Sequence, residues 1–164
     1  MTNVFTNDLV YSFSKQDFWT LVYKKAFPVM LKTEDMSKDK TAQAKGIDTI
    51  IHLPFGGRLY IDEKLRRGNY TDILLEYISN DKTNSRGWVE KELCIDFIAY
   101  AFEIKKTVYF LPFKELQKLW LDNKVNWLEK YKPPKIAKNQ YYNTINLAVP
   151  LAEFKSLRII TVKL

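Results

Sequence analysis

Residues 46–67 read GIDTIIHLPFGGRLYIDEKLRR, and the order of apolar and polar residues in this stretch decides the fold class. Ile47 to Leu53 and Arg58 to Leu65 are short runs rich in β-branched and aromatic residues, separated by Pro54, Gly56 and Gly57. Such runs on either side of a Pro/Gly turn predict two antiparallel strands. Alternation along the second run puts Tyr60, Asp62, Lys64 and Arg66 on one face, and Ile61, Glu63 and Leu65 on the other. On the first run Asp48, Ile50 and His52 share a face, and antiparallel pairing through the turn around Gly56 brings Asp48 towards Asp62.

Working outward, Asp72 to Ser79 follows Gly68 and Asn69 and predicts a third strand, completing an antiparallel meander. Upstream, Ser14-Lys-Gln-Asp is a capping-box-like start to a helix over Lys15 to Ala26, with Phe18, Leu21 and Val22 on one face and Pro28 as its stop. Lys32 to Lys45 is polar without apolar period and predicts a loop. Downstream, Leu93, Phe97, Tyr100, Ala101 and Ile104 recur at spacings of three and four, which predicts a second helix. Val108 to Leu111 predicts a short buried strand. Pro112 opens a third helical pattern carrying Leu116, Leu119 and Trp120, and Ile145–Val149 with Leu157–Val162 predict a last strand pair. Residues 128–140 carry four lysines around two prolines and predict a surface connection. The expectation is a single α/β domain over residues 1–164: a mixed central sheet covered by helices, with a C-terminal extension.

Bulk properties narrow the chemistry. A chain of 164 residues that is 46% hydrophobic builds one ordinary core, and 15% aromatic content excludes a disordered or fibrous chain. It has no apolar run of the length needed to span a bilayer, and the start MTNVFTNDLVYSFSK lacks a signal-peptide pattern, so a cytoplasmic protein without a membrane partner is expected. Cys94 and His52 are the only residues of their types, which excludes an internal disulfide and a Cys/His zinc cage. A metal would be held by carboxylates, favouring Mg²⁺ or Mn²⁺. The formal charge of +7, from 26 Lys and Arg against 19 Asp and Glu, favours a polyanionic partner.

Two carboxylates converging as Asp48 and Asp62 do would repel unless a divalent cation sat between them. That arrangement suits phosphodiester hydrolysis, with Lys64 orienting or deprotonating the attacking water and offsetting transition-state charge. The main-chain carbonyl of Glu63 is a candidate further ligand. Glu76, in the apolar run LLEYIS, is a candidate third carboxylate, because a charge there is costly unless it faces a site. Arg58, Arg66 and Arg67 flank the pair and are either phosphate contacts or ordinary surface residues. The same weighing makes His52 a rim histidine before a ligand and Cys94 a helix packing residue. Trp88, Trp120 and Trp127 read as core anchors before base-stacking platforms. The lysines of residues 130–138, interleaved with Tyr131, Tyr141 and Tyr142, are a solvated run or a track for a nucleic-acid strand.

With these residues in view, GIDTIIHLPFGGRLYIDEKLRR resembles the PD-(D/E)XK nuclease superfamily, in which an acid is followed after a hairpin by an acid, any residue and Lys. Asp48, Asp62 and Lys64 match those three positions, and Ile47 stands where Pro is frequent. The resemblance extends over about Lys15 to Leu111 in the order helix, three strands, helix, strand. LLEYIS, the Gly87-Trp88 pair and VYFLPF look like small bacterial and phage-type members. It implies a restriction-endonuclease-like core hydrolysing DNA, with RNA as the alternative, using Mg²⁺ or Mn²⁺. It also implies specificity drawn from loops, a homodimer or a protein partner. The rival expectation is the same fold with a lost site, binding nucleic acid or a protein; the complete set Asp48, Asp62 and Lys64 favours the enzyme.

Overall fold

The computed structural model describes residues 17–164. Residues 17–26 form helix α1, ending before Pro28 as expected; the Ser14 cap and the start at Lys15 lie outside the described residues. Strand β1 is Lys32–Asp35, helix α2 Lys40–Ala44, β2 Thr49–His52, β3 Arg58–Arg66, β4 Asp72–Asn80 and β5 Ser85–Arg86. Then come β6 Phe97–Phe102, β7 Thr107–Pro112, helix α3 Phe113–Lys130, β8 Lys135–Lys138, β9 Asn143–Pro150 and β10 Ile160–Lys163. The class is α/β with a mixed sheet, but the order αβββαβ is not what the chain builds.

Among the described residues six strands form the mixed sheet, in the order β1-β2-β3-β6-β7-β10, and only β3 and β6 run parallel. The hairpin of β2 and β3 has the expected sense, with Thr49 opposite Ile61 and His52 opposite Arg58. The meander, however, stops there. β4 leaves β3 and enters a second, antiparallel sheet in the order β5-β4-β9-β8. It is a strand as expected, with Ile73 and Leu75 fully buried, but its partner β9 lies some seventy residues onward. Gly87 holds β4 to the following segment: its N–H donates to the Tyr77 carbonyl at 2.9 Å, and a Cβ there would sit 2.2 Å from the Glu76 carbonyl oxygen.

The predicted second helix is the strand β6. Its run FIAYAF is buried from Ile98 to Phe102 because both faces are covered, and a continuous apolar run satisfies helical spacings as readily as a strand's. Phe97, Ala99 and Ala101 join Ile51, Ile61, Val108 and Phe110 under Trp19, Val22 and Tyr23 of α1. Ile98, Tyr100 and Phe102 face the opposite way, towards Ile73, Leu75, Leu147 and Val149 of the second sheet and Leu116, Trp120 and Trp127 of α3. The described residues are thus layered: helix α1, the mixed sheet, and then the second sheet with α3. Tyr100 ties the last two layers, its hydroxyl accepting from the Leu74 N–H at 3.0 Å. Each large apolar side chain removed from water in these cores contributes about 1.5–3 kcal/mol.

Other expectations need correcting. Residues 32–45 are not a loop but an edge strand and a five-residue helix, whose N-cap Asp39 accepts from the N–H groups of Thr41 and Ala42. The last two strands do not pair with each other: β9 is central in the second sheet, and β10 closes an edge of the first against β7. Residues 135–138 of the expected surface connection form β8, fully exposed along its length. Cys94 is exposed and lies outside any helix. Trp88, Trp120 and Trp127 are core residues as read. Among the described residues no helix is long and apolar enough to cross a membrane.

Candidate active site

Just before β2 the Asp48 N–H donates to the Ile61 carbonyl, the partner of Thr49, at 2.9 Å. This sets Asp48 close to Asp62. The Asp48 side chain then turns along the strand edge, and its Oδ2 accepts the Glu63 N–H at 2.8 Å. Its Oδ1 accepts from the Gln43 amide nitrogen at 3.0 Å. Gln43 was not singled out in the sequence. It is an uncharged residue on a helix too short to show a period, and only its placement reveals it: the same nitrogen donates to the Ile47 carbonyl at 2.8 Å, fastening α2 to the strand that carries Asp48.

Asp62 and Lys64 share a face, as alternation requires, and Lys64 Nζ lies 2.7 Å from Asp62 Oδ1. The Asp62 side chain is 6% exposed and that of Lys64 32%, so the pair spans the boundary between interior and solvent. Burial pushes the Asp62 carboxyl up to about 7; Lys64 opposes this, while the charge of Asp48 and a hydrogen bond with it push further the same way. The rise is thus chiefly a burial effect: Lys64 outweighs Asp48, and it is the loss of water around Asp62 that neither group offsets. The Trp88 ring lies 5.8 Å from Lys64 Nζ and closes one side of the site.

Glu63 points to the opposite face. Its Oε1 accepts from the Tyr23 hydroxyl and from Thr49 Oγ1, each at 2.7 Å. Burial first, and then the adjacent Glu63 charge, hold the Tyr23 phenol protonated well above its ordinary range. Any ligand role of Glu63 thus falls to its main chain. In a strand the N–H and C=O of one residue project to the same side, so this carbonyl leaves β3 on the Asp48 side.

The structure brings Asp48, Asp62 and Lys64 together and sets the remaining candidates around them unequally. Glu76, half-buried on β4, accepts the Trp88 N–H at 3.3 Å and so borders the site through Trp88. Arg66 does not present itself to a phosphate: its side chain is 14% exposed, ion-paired with Asp72 at 2.7 Å and stacked 3.7 Å over Tyr70. Arg58 and Arg67 are exposed. His52 Nε2 lies 2.9 Å from Glu34 on the neighbouring strand, the rim role.

Comparison with protein-family models, with curated proteins and with solved structures gives no match.

Whether the site suits a cation is decided by its donors. Among the described residues no group of three or more His, Cys, Asp or Glu is placed to hold a metal ion. Mg²⁺, however, ordinarily takes only one or two carboxylates and fills its octahedron with water and phosphate oxygens. Asp48 and Asp62, with a main-chain oxygen alongside, are such a donor set, and a hard cation would offset the cost of burying the Asp62 charge.

Proposed function

We propose that this chain is a metal-dependent nuclease of PD-(D/E)XK type that hydrolyses phosphodiester bonds, with DNA as the substrate. The observation that carries the reading is the buried Asp62 carboxyl, driven up to about 7 beside Asp48 and within 2.7 Å of Lys64. A carboxyl so perturbed, paired to a cation at an interior boundary, is typical of a functional group and wasteful in a purely structural one.

In this reading Asp48 and Asp62 hold Mg²⁺ or Mn²⁺, assisted by the Glu63 carbonyl. The bound ion would polarise the phosphoryl oxygen and acidify a water. Gln43 fixes the Asp48 carboxylate by its amide, leaving the rotamer little freedom. Lys64 is about a third exposed, so its ammonium can leave Asp62 Oδ1 for the charge developing on a pentavalent phosphate. Trp88 keeps water from one side of that ammonium, which strengthens its interaction with the phosphate. The chain's positive charge draws the polyanion in.

The test is incubation of the purified chain with plasmid, linear and single-stranded DNA in Mn²⁺ or EDTA. Cleavage that EDTA abolishes is expected; DNA left intact at every Mn²⁺ concentration would sink the reading.

A further inference from the structure

The turn between β2 and β3 ends in a phenyl ring that none of the described residues covers. Phe55 is fully exposed, and its backbone sits in the left-handed region at φ 60 and ψ 27. That conformation is a genuine outlier for a bulky side chain, and such strain gathers where the ring or loop is used. The turn is also held in place. The Leu53 N–H donates to the Gly57 carbonyl at 2.8 Å, Pro54 restricts its own φ, and Gly56 takes φ +78.

The cross-strand register sets Lys32 opposite His52 and His52 opposite Arg58, so the three lie in a row. Arg58 is four residues before Asp62 and on the same face, about 13 Å away along the strand. Lys32 and Arg58 are exposed, while His52 is paired with Glu34. An exposed ring on a fixed tip, followed by cations on the face that carries Asp62 and Lys64, is the combination that binds a single nucleic-acid strand.

We propose that the hairpin tip is a nucleotide subsite: Phe55 stacks on an unpaired base, and Lys32 and Arg58 take the phosphates between that base and the scissile bond. The destination of the strand rests on the nuclease reading; the subsite itself does not. Charge selects the occupant, because the exposed Lys32 and Arg58 beside the ring complement a phosphate backbone.

The experiment measures binding of a short fluorescent oligothymidylate to the full chain in EDTA, by anisotropy. A parallel titration uses an oligonucleotide carrying 2-aminopurine, whose emission falls on stacking. Phe55→Ala is expected to weaken binding about tenfold and abolish the quenching, whereas Phe55→Trp keeps both. Arg58→Ala is expected to lower the salt slope of binding by about one. Wild-type affinity and quenching in Phe55→Ala would overturn the subsite, even in a chain that cleaves plasmid. Binding that depends on Phe55 in a chain that never cleaves would uphold the subsite and dismiss the nuclease. A wild-type dimer that Phe55→Ala dissociates, with oligonucleotide affinity unchanged, would assign the tip to a second copy and overturn the proposal.

Discussion

Asp62 and Glu63 are neighbours on one strand, and the two faces of β3 treat them in opposite ways. Glu63 enters the layer beneath α1 and finds two hydroxyl donors, from Tyr23 and Thr49, converging on one oxygen. Asp62 enters the layer beneath the second sheet and finds one lysine at hydrogen-bond distance together with another carboxylate. Burial alone is therefore not the mark of a site. What separates the faces is that Glu63 meets two hydroxyl donors, while Asp62 is left with a burial cost that its lysine does not offset.

Replacing residues on the open face should break chemistry and spare the fold, and this is the largest effect expected. Asp62→Ala should reduce DNA cleavage at least about 10³-fold, since a lost metal ligand removes several kcal/mol of transition-state stabilisation. It should also weaken Mn²⁺ binding in calorimetry. Lys64→Ala should lose a comparable share of rate yet bind Mn²⁺ as the wild type does, because its work is confined to the transition state. A thermal melt showing either variant unfolded would make these residues supports of the sheet.

The pH dependence of stability sharpens the same contrast. Asp62 ionises near 3.8 when the chain is unfolded and near 7 when folded, so between these values the folded state retains the extra proton. Its contribution is full below about pH 4 and is lost as pH rises through 7, a decline of at most about 4 kcal/mol. Urea melts of wild type and Asp62→Asn across pH 4–8 should diverge in that direction, the variant gaining relative stability as pH rises. Parallel curves would mean that Asp62 is not desolvated in solution.

On the closed face the expected effect is smaller and reversed in kind. Glu63→Ala leaves the Tyr23 and Thr49 hydroxyls without their acceptor and should lower stability by about 2 kcal/mol. Glu63→Gln offers both hydroxyls an amide oxygen and should recover most of it. Cleavage per folded molecule should remain within a few-fold of wild type in both, as an activity assay normalised to the folded fraction would reveal. A catalytic collapse in Glu63→Gln would erase the distinction between the two faces.

The hairpin was legible because its information is local: a Pro/Gly turn, two alternating runs, and an acid at a fixed offset on each strand. From these the register could be counted, and with it the placing of Asp48 beside Asp62 and of Glu63 on the other side. β4 was legible as a strand but not as a member of another sheet, because nothing in DILLEYISN names β9 as its partner. β6 was misread because covering a strand on both faces erases the alternation that would identify it. Gln43 escaped for a further reason, since an amide that orients a carboxylate has no composition or spacing that distinguishes it from any surface glutamine. Arg66 was placed on the correct face, yet Asp72 and Tyr70 engage it first, and both contacts depend on how the chain turns after β3.

The parallel pairing of β3 with β6 also bears on how the molecule comes to be folded. β2 and β3 are joined by five residues and can meet early, while β3 must wait for residues 67–96 to pass before β6 arrives. Asp48 and Asp62 therefore first approach each other in water, where two charges at contact repel by only about 1 kcal/mol. Their repulsion grows when β6 and the second sheet arrive and exclude solvent. The electrostatic burden of the site thus falls on the late, non-local steps of assembly, and the same steps are the first that its release would drive apart.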